Sequence, residues 1–95
     1  MSEVVLINPF ELPAEKAEVF LVGWERAAAF MRGQPGFRAT ALHQALATDA
    51  RFAFVNVAAW ETPQHFAEAV KQMPALDDPE IRFYPGLYRV VREVG

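Results

Sequence analysis

The stretch RFAFVNVAAWETP, residues 51–63, contains the pattern that decides the fold. From Phe52 to Trp60 the side chains alternate between two faces, which is the period-two signature of a β-strand. Both faces are mainly apolar, as in a strand that is covered on both sides. Thr62 and Pro63 follow at once, and they are typical of an N-cap and the first residue of a helix. The stretch therefore predicts a buried strand that leads directly into a helix.

One polar residue stands within this apolar strand. Asn56 shares a face with Phe54 and Trp60, which are two and four residues away. A buried amide costs about 1–3 kcal/mol unless it is hydrogen-bonded. We therefore expect Asn56 to pair either with another part of the fold, such as a loop backbone, or with a ligand.

The composition describes a small domain with more apolar residues than its own core needs. The chain has 95 residues, so residues 1–95 are predicted to form one domain with a single modest core. Hydrophobic residues make up 53% of the sequence, and its mean hydropathy is +0.06. Because a small domain buries a smaller fraction of its surface than a large one, this composition predicts that a partner chain covers part of it.

The same counts disfavour several classes of function. The chain has no cysteine, and its two histidines, His43 and His65, stand 22 positions apart, so we expect no disulfide, thiolate chemistry or metal site. The net charge of −3 predicts that nucleic acid is not a partner. No apolar run approaches the ~18 residues of a membrane span, and residues 1–13 lack the pattern of a signal peptide. The resulting expectation is a cytoplasmic protein without a membrane partner.

Patterns along the chain predict four strands and two helices. In order, the predicted segments are a strand over 3–8 that ends before Pro9, a helix from Pro13 to about Arg32, strands over 37–46 and 51–61, a helix from Pro63 with an apolar stripe to Met73, a loop or helical stub over 73–80, and a last strand from Leu87 within 83–94. The order β-α-β-β-α-β is typical of the α+β, ferredoxin-like fold, in which both helices cover one face of a four-stranded antiparallel sheet. Since the third strand is apolar on both faces, we expect a second copy of the chain to cover the other face, which gives a homodimer.

Three segments together resemble the antibiotic biosynthesis monooxygenase family. They are INPFELPAEKAEVFLVGWERA (7–27), QPGFRATALHQAL (34–46) and FAFVNVAAWETPQHF (52–66). The resemblance implies a dimeric α+β barrel that is built from ferredoxin-like subunits. It also implies one of two activities. One branch of the family oxidises phenols to quinones with O2 and without flavin, haem or metal, and the other degrades haem.

The quinone-forming branch is matched on the third strand. That branch carries an asparagine and a tryptophan four residues apart, and Asn56 and Trp60 stand in this relation. They lie on one face of the strand, about 13 Å apart, so both would reach the oxygens of a flat aromatic substrate and stabilise its phenolate. A histidine of relatives is matched by His43, a candidate base, and an arginine is matched by Arg82. Phe66 stands where the branch has a tyrosine, six residues after the tryptophan.

The haem-degrading branch is matched at one position of three. Asn8 corresponds to its asparagine on the first strand, whereas Ala69 replaces its tryptophan and residues 70–80 contain no histidine. Haem degradation is therefore the least favoured of the hypotheses that the resemblance implies.

The candidate residues fall into two groups. The catalytic candidates are Asn56, Trp60 and His43, and the candidates for substrate binding are Asn8, Trp24, Phe66 and Arg82. Each has a structural interpretation as well, such as core positions for the aromatic residues, a turn for Asn8, an interior or interface site for His43 and a surface charge for Arg82. The favoured hypothesis is a cofactor-independent oxygenase that acts with O2 on a small phenolic or quinol substrate. Because Phe66 lacks a phenolic proton, a dimeric protein that only binds such a compound is the main alternative.

Overall fold

The sheet and its two helices follow the predicted order. The computed structural model describes residues 3–73 and 77–95. Its elements are β1 (Val4–Glu11), a 3-10 turn (Ala14–Lys16), α1 (Ala17–Met31), β2 (Phe37–Gln44), β3 (Phe54–Trp60), α2 (Pro63–Gln72), β4 (Arg82–Phe83) and β5 (Gly86–Tyr88). The strands form one antiparallel sheet in the order β2-β3-β1-β4, with β5 on the same edge of β1 as β4. The ferredoxin-like α+β prediction is confirmed. No helix in the described ranges is long and apolar enough to cross a membrane.

The first strand is longer than predicted, because it runs through a proline. Pro9 lies within β1, opposite Val55 of β3, and its carbonyl accepts a hydrogen bond of 3.1 Å from the N–H of Tyr84. In an antiparallel ladder the N–H and C=O of one residue face the same neighbouring strand. The donor that Pro9 lacks would therefore face the edge where Tyr84 and Pro85 separate β4 from β5. The strand loses no ladder bond there, so the predicted end at Asn8 is wrong.

The last strand is shorter than predicted. The chain forms β4 and β5 instead of one strand from Leu87 onward, and residues 89–95 have no regular structure. Tyr88 lies opposite Val5, beside the first residue of β1, so the chain beyond Tyr88 has no strand left to pair with. The strands over 37–46 and 51–61 also end earlier at their shared turn, at Gln44 and Phe54. The loop or stub expected over 73–80 falls partly on residues 74–76, which lie outside the described residues.

The helix boundaries agree with the sequence signals. The predicted first helix is present as the 3-10 turn and α1. The second begins at Pro63, and the Thr62 hydroxyl accepts a hydrogen bond of 3.1 Å from the N–H of His65, as an N-cap does. The His65 ring packs so closely on Gly36, where φ is +83°, that a Cβ at Gly36 would collide with it. This contact fixes the start of α2 against the start of β2.

The core on the helix-covered face of the sheet is divided in two. One cluster contains Leu6, Ala58, Trp60 and Ala69, and the other contains Phe10, Phe20, Phe54 and Ile81. Phe20 stacks on Phe54 with 4.8 Å between ring centroids. Asn8 and Asn56 face each other across β1 and β3, between the two clusters. The two asparagines therefore interrupt the apolar core at its middle.

The other face of the sheet has no covering element among the described residues. Alternation places an apolar set of side chains there, namely Val5, Ile7, Val55, Val57 and Ala59. We call this set the open face. Ile7 is 37% exposed, which is high for a central strand of a sheet.

Candidate functional site

A cavity of about 240 Å³ separates the two core clusters. It lies between the sheet and the helices and is lined by Leu6, Asn8, Phe10, Trp24, Ala27, Ala28, Met31, Phe37, Thr40, Asn56, Ala58, Trp60, Phe66, Val70, Met73, Phe83 and Pro85. Most of these side chains are apolar. The polar groups are the amides of Asn8 and Asn56, the hydroxyl of Thr40 and the indole N–H groups of the two tryptophans. A flat apolar ligand with a few oxygens matches this composition.

The Asn56 amide is held in one orientation by two donors. Its Oδ1 accepts a hydrogen bond of 2.7 Å from the Thr40 hydroxyl and one of 3.2 Å from Trp24 Nε1. Because an indole nitrogen can only donate, the amide atom beside it must be the oxygen. The Asn56 NH2 group has no hydrogen-bond partner among the described residues. Asn56 therefore lines the cavity as a donor whose orientation the protein has fixed.

Two polar atoms of lining residues are fully buried, with no hydrogen-bond partner in the described parts of the chain. They are Oδ1 of Asn8 and Nε1 of Trp60. Trp60 as a whole is only 1% exposed, so its N–H cannot turn toward solvent. Each unpaired buried group costs about 1–3 kcal/mol, and a ligand pairs with either atom only where the surrounding side chains move to expose it.

Aromatic side chains form the walls around these polar atoms. Phe37 and Phe66 meet the Trp60 ring edge-on, with centroid distances of 5.3 and 5.7 Å. These contacts fix the plane of the indole. The structure thus brings five of the seven sequence candidates to the cavity, which are Asn8, Trp24, Asn56, Trp60 and Phe66.

His43 and Arg82 do not line the cavity. His43 lies opposite Val55, which places it on the open face, where its Nδ1 is 3.3 Å from the carbonyl of Val55. Arg82 lies opposite Glu11, also away from the helices, and is exposed. Both miss the cavity for one reason, because the two-residue period of a strand points them to its opposite face. The structure gives neither residue the site role that the sequence suggested.

Thr40 is a site residue that the sequence interpretation missed. It was overlooked because FRATALHQ reads as a weak strand, in which an alanine-rich pattern hides the two faces. The strand also contains a bulge between Phe37 and Ala39, which shifts the alternation at its start. Thr40 shares its face with Leu42, and this polar residue on a core face was the available signal.

No described side chain in the cavity wall ionises between pH 2 and 12. The shifted groups lie outside it. Asp78 accepts a hydrogen bond of 2.9 Å from Lys16 Nζ, which lowers the pKa of Asp78 and raises the pKa of Lys16. Hydrogen bonds from Tyr84 and Arg51 lower the pKa of Glu11. These pairs hold the segments around β4 to the rest of the fold, and they supply no acid or base to the cavity.

The cavity does not offer the usual protein ligands of haem iron. The only histidines in the chain are His43 and His65, and neither lines the described cavity wall. The lining residues also include no tyrosine or cysteine, so imidazole, phenolate and thiolate are all missing. The site does not fit haem that is held by one of these groups.

The chain shares its fold and sequence with known oxygenases. The family model for antibiotic biosynthesis monooxygenases matches residues 3–76. A protein from Shewanella loihica PV-4, provisionally assigned as a monooxygenase, is 39% identical, with a TM-score of 0.87 and coverage of 98% of this chain and 99% of that chain. SnoaB, a cofactor-independent oxygenase from Streptomyces nogalater, is 26% identical, with a TM-score of 0.73 and coverage of 99% and 97%.

A third similarity concerns the fold alone. A haem-degrading protein from Mycobacterium tuberculosis is 24% identical, with a TM-score of 0.70 and coverage of 98% of this chain and 99% of that chain. No curated protein matches this chain. The family model nevertheless spans most of the sequence, and the Shewanella protein is similar over nearly its whole length. The chain therefore belongs to the antibiotic biosynthesis monooxygenase family.

Proposed function

We propose that this protein is a cofactor-independent monooxygenase, which oxidises a small phenolic or quinol-type substrate with O2 inside the cavity. The observation that carries the proposal is the Asn56 amide, whose oxygen accepts hydrogen bonds from two protein donors while its NH2 group has no partner within residues 3–73 and 77–95. Trp60 lines the same wall, and its buried N–H, which has no partner among the described residues, becomes a second donor where a ligand moves the side chains around it. Fixed donors in such surroundings stabilise an oxygen that carries negative charge.

The chemistry uses only the substrate and O2. The substrate first loses a proton, and the phenolate or enolate then passes one electron to O2, which gives a substrate radical and superoxide. These combine through a new C–O bond, and a proton converts the product to a hydroperoxide. Cleavage of the O–O bond, with loss of the remaining hydrogen of that carbon as a proton, releases water and leaves a carbonyl. One atom of O2 enters the quinone, the other enters water, and the substrate supplies all the electrons.

The substrate must be acidic, because the described cavity wall contains no base. A proton that leaves it passes to water, and the N–H donors of Asn56 and Trp60 favour the anion that remains. We therefore expect the pH at which the rate rises to follow the pKa of each substrate. A side chain acting as general base would instead give one common value for all substrates.

The relatives support this proposal without identifying the substrate. SnoaB, at 26% identity, is a cofactor-independent oxygenase, and the Shewanella protein is provisionally assigned to the monooxygenases. Neither similarity identifies the compound that this chain would oxidise. The lining residues indicate a planar aromatic ring with an oxygen that accepts hydrogen bonds.

Oxygen uptake with anthrone- and naphthol-type compounds tests the proposal. Asn56→Asp keeps an oxygen for Thr40 and Trp24 but replaces the free NH2 with a second oxygen, so we expect uptake to fall by about 10²-fold or more. Trp60→Phe removes the other donor and should also slow the reaction. Gln44→Glu makes the same amide-to-carboxylate change at an exposed site outside the cavity wall and serves as the control. Uptake by wild type that Asn56→Asp leaves unchanged would refute the assignment of the site.

A binding protein is the second candidate, and one residue favours it. Phe66 stands beside Trp60 and has no phenolic proton to transfer. Proton transfer by a positioned side chain typically contributes 10²–10⁴ in rate, so this chain has less catalytic equipment than one with a tyrosine there. Tight binding of the same compounds without O2 uptake would establish this function. Restoration of uptake by Phe66→Tyr would then identify the missing group.

We infer that the protein works as a homodimer, in which two open faces pack together. The inference rests on the apolar side chains of that face and on the absence of a described element that covers them. Light scattering at micromolar concentration should give twice the mass of one chain. Val57→Lys places a charge on the open face and should give monomers, whereas Val19→Lys, on an exposed position of α1, should not. A monomeric wild type would overturn the inference.

A further inference from the structure

A groove of about 360 Å³ lies beside the cavity, between α1 and β2. Its lining residues are Trp24, Glu25, Ala28, Ala29, Arg32, Phe37 and Thr40, and four of them, Trp24, Ala28, Phe37 and Thr40, also line the cavity. The two spaces therefore adjoin, and the residues that they share include both side chains that hold the Asn56 amide. A ligand that fills one space lies next to the other.

The cavity is too small for a ligand much larger than an aromatic ring system, so a larger ligand needs a second space. Ligand sites usually measure about 300–1,000 Å³, and the cavity alone, at about 240 Å³, is smaller than that range. The cavity and the adjoining groove together fall within this range of volumes. The cavity has room for the aromatic ring, and the groove has room for a substituent on it.

The charged residues of the groove indicate the chemistry of that substituent. Arg32 stands at the end of α1, about 12 Å along the helix axis from Trp24, and makes no ion pair within the described parts of the chain. Its guanidinium matches a carboxylate in geometry and charge. Glu25 lies next to Trp24 in the chain and repels an anion that is placed close to the ring. The two residues are about 10.5 Å apart along the axis, so they favour a carboxylate at the far end of the groove.

We propose that the α1–β2 groove is a second subsite, which takes a carboxylate-bearing side chain of the aromatic ligand and binds the carboxylate at Arg32. The proposal rests on the proposed function only in that an aromatic ring occupies the cavity. In this arrangement Arg32 selects ligands that carry a carboxylate, and Glu25 selects ligands in which a side chain separates the carboxylate from the ring. Ligands with a carboxylate directly on the ring should bind less well than ligands with a carboxylate on a chain of several carbons.

Binding measured by quenching of tryptophan fluorescence tests this without turnover, because both tryptophans line the cavity. The probes are 1-naphthol, a naphthol with a carboxybutyl chain and the amide of that acid. Wild type should prefer the acid over the amide by about fivefold at low salt, the upper range for an exposed ion pair, and added salt should reduce the preference. Arg32→Gln should abolish it. Arg26→Gln, on an exposed position of α1 that lines neither space, should retain it.

The possible outcomes distinguish a failure of the subsite from a failure of the proposed oxygenase function. Equal binding of acid and amide by wild type, or the same loss in both arginine variants, overturns the subsite whatever the enzyme activity is. Arg32 would then serve only as a cation at the C-terminus of a helix. A preference that needs Arg32 in a protein without O2 uptake supports the subsite and refutes the oxygenase. If wild type binds none of the three probes, the subsite is refuted together with the aromatic site.

Discussion

The hydroxyl of Thr40 gives the sharpest test of how the site works. Thr40→Val removes one of the two donors to Asn56 and keeps the shape of the side chain. The lost bond is the shorter of the two, 2.7 Å against 3.2 Å for Trp24 Nε1, and the hydroxyl is 3.4 Å from its other acceptor, the carbonyl of Val57. A hydrogen bond of this kind contributes about 0.5–1.5 kcal/mol to stability, so the variant should lose about 1 kcal/mol of unfolding free energy.

The effect on function should exceed the effect on stability. With one donor left, the Asn56 amide can rotate, and its NH2 group no longer faces the developing anion in every molecule. Because that donor acts mainly in the transition state, kcat should fall by about tenfold or more while KM changes little. Thr40→Ser returns the hydroxyl and should restore kcat. Thr48→Val, at an exposed position between β2 and β3, is the matched control.

The assay combines urea unfolding with oxygen uptake on the same preparations. A variant Thr40→Val that loses stability but retains kcat would show that Thr40 serves the fold and not the site. Failure of Thr40→Ser to restore kcat would refute the role of the hydroxyl, since only the methyl group then differs. If the proposed oxidation is absent, the affinity for a naphthol replaces kcat, and it should fall by about fivefold.

Three further predictions concern single positions. Asn8→Leu removes a buried oxygen that has no partner in the described part of the chain, so urea unfolding should show a gain of about 1 kcal/mol, while naphthol binding weakens. A loss of stability would contradict the unpaired state. His43→Ala should leave the pH dependence of O2 uptake unchanged, because His43 lies on the open face; a flattened profile would restore it as a base. Asp78→Asn should lower the melting temperature at pH 7, because the variant loses the charged hydrogen bond from Lys16. A carboxyl with a lowered pKa contributes stability above its unfolded pKa of 3.8 and loses it as the pH falls through the folded pKa, so the difference from wild type should vanish on acidification. A difference that persists at low pH would exclude the ion pair as its cause.

The sequence predicted the fold where local and long-range preferences agree. The Thr62 cap and the apolar stripe of α2 indicate one helix, and the structure contains it. Errors occurred where the pairing partner decides the outcome. Pro9 is tolerated within β1 because β4 and β5 are separated at that point, and the chain after Tyr88 is unpaired because β1 has ended. Neither fact is encoded near the residue concerned, so no local pattern could have shown it.

The site residues that lie on β3 were predictable, because the sequence pattern of this strand is clear. Asn56 and Trp60 follow from the alternation of one clear strand, and their shared face is the cavity face. His43 was misplaced because β2 is alanine-rich, so its apolar pattern did not show which of its faces meets the helices. Thr40 was missed for the same reason. The hydrogen bonds that fix the Asn56 amide join α1, β2 and β3, and only the folded chain brings these elements together.

The two unpaired buried atoms beside the cavity indicate that positions 8 and 60 carry polar residues for function and not for stability. Apolar residues at positions 8 and 60 would carry no unsatisfied polar group, and each would avoid about 1–3 kcal/mol of that cost. Asn56 differs, because its oxygen is satisfied by Thr40 and Trp24 and only its NH2 group remains unpaired within the described residues. Two buried polar atoms that lack a described partner beside one cavity are difficult to explain as packing. A ligand hydroxyl that donates to Asn8 Oδ1 and a ligand oxygen that accepts from Trp60 Nε1 would remove both deficits, which is why binding should stabilise this protein more than the burial of its apolar surface alone would.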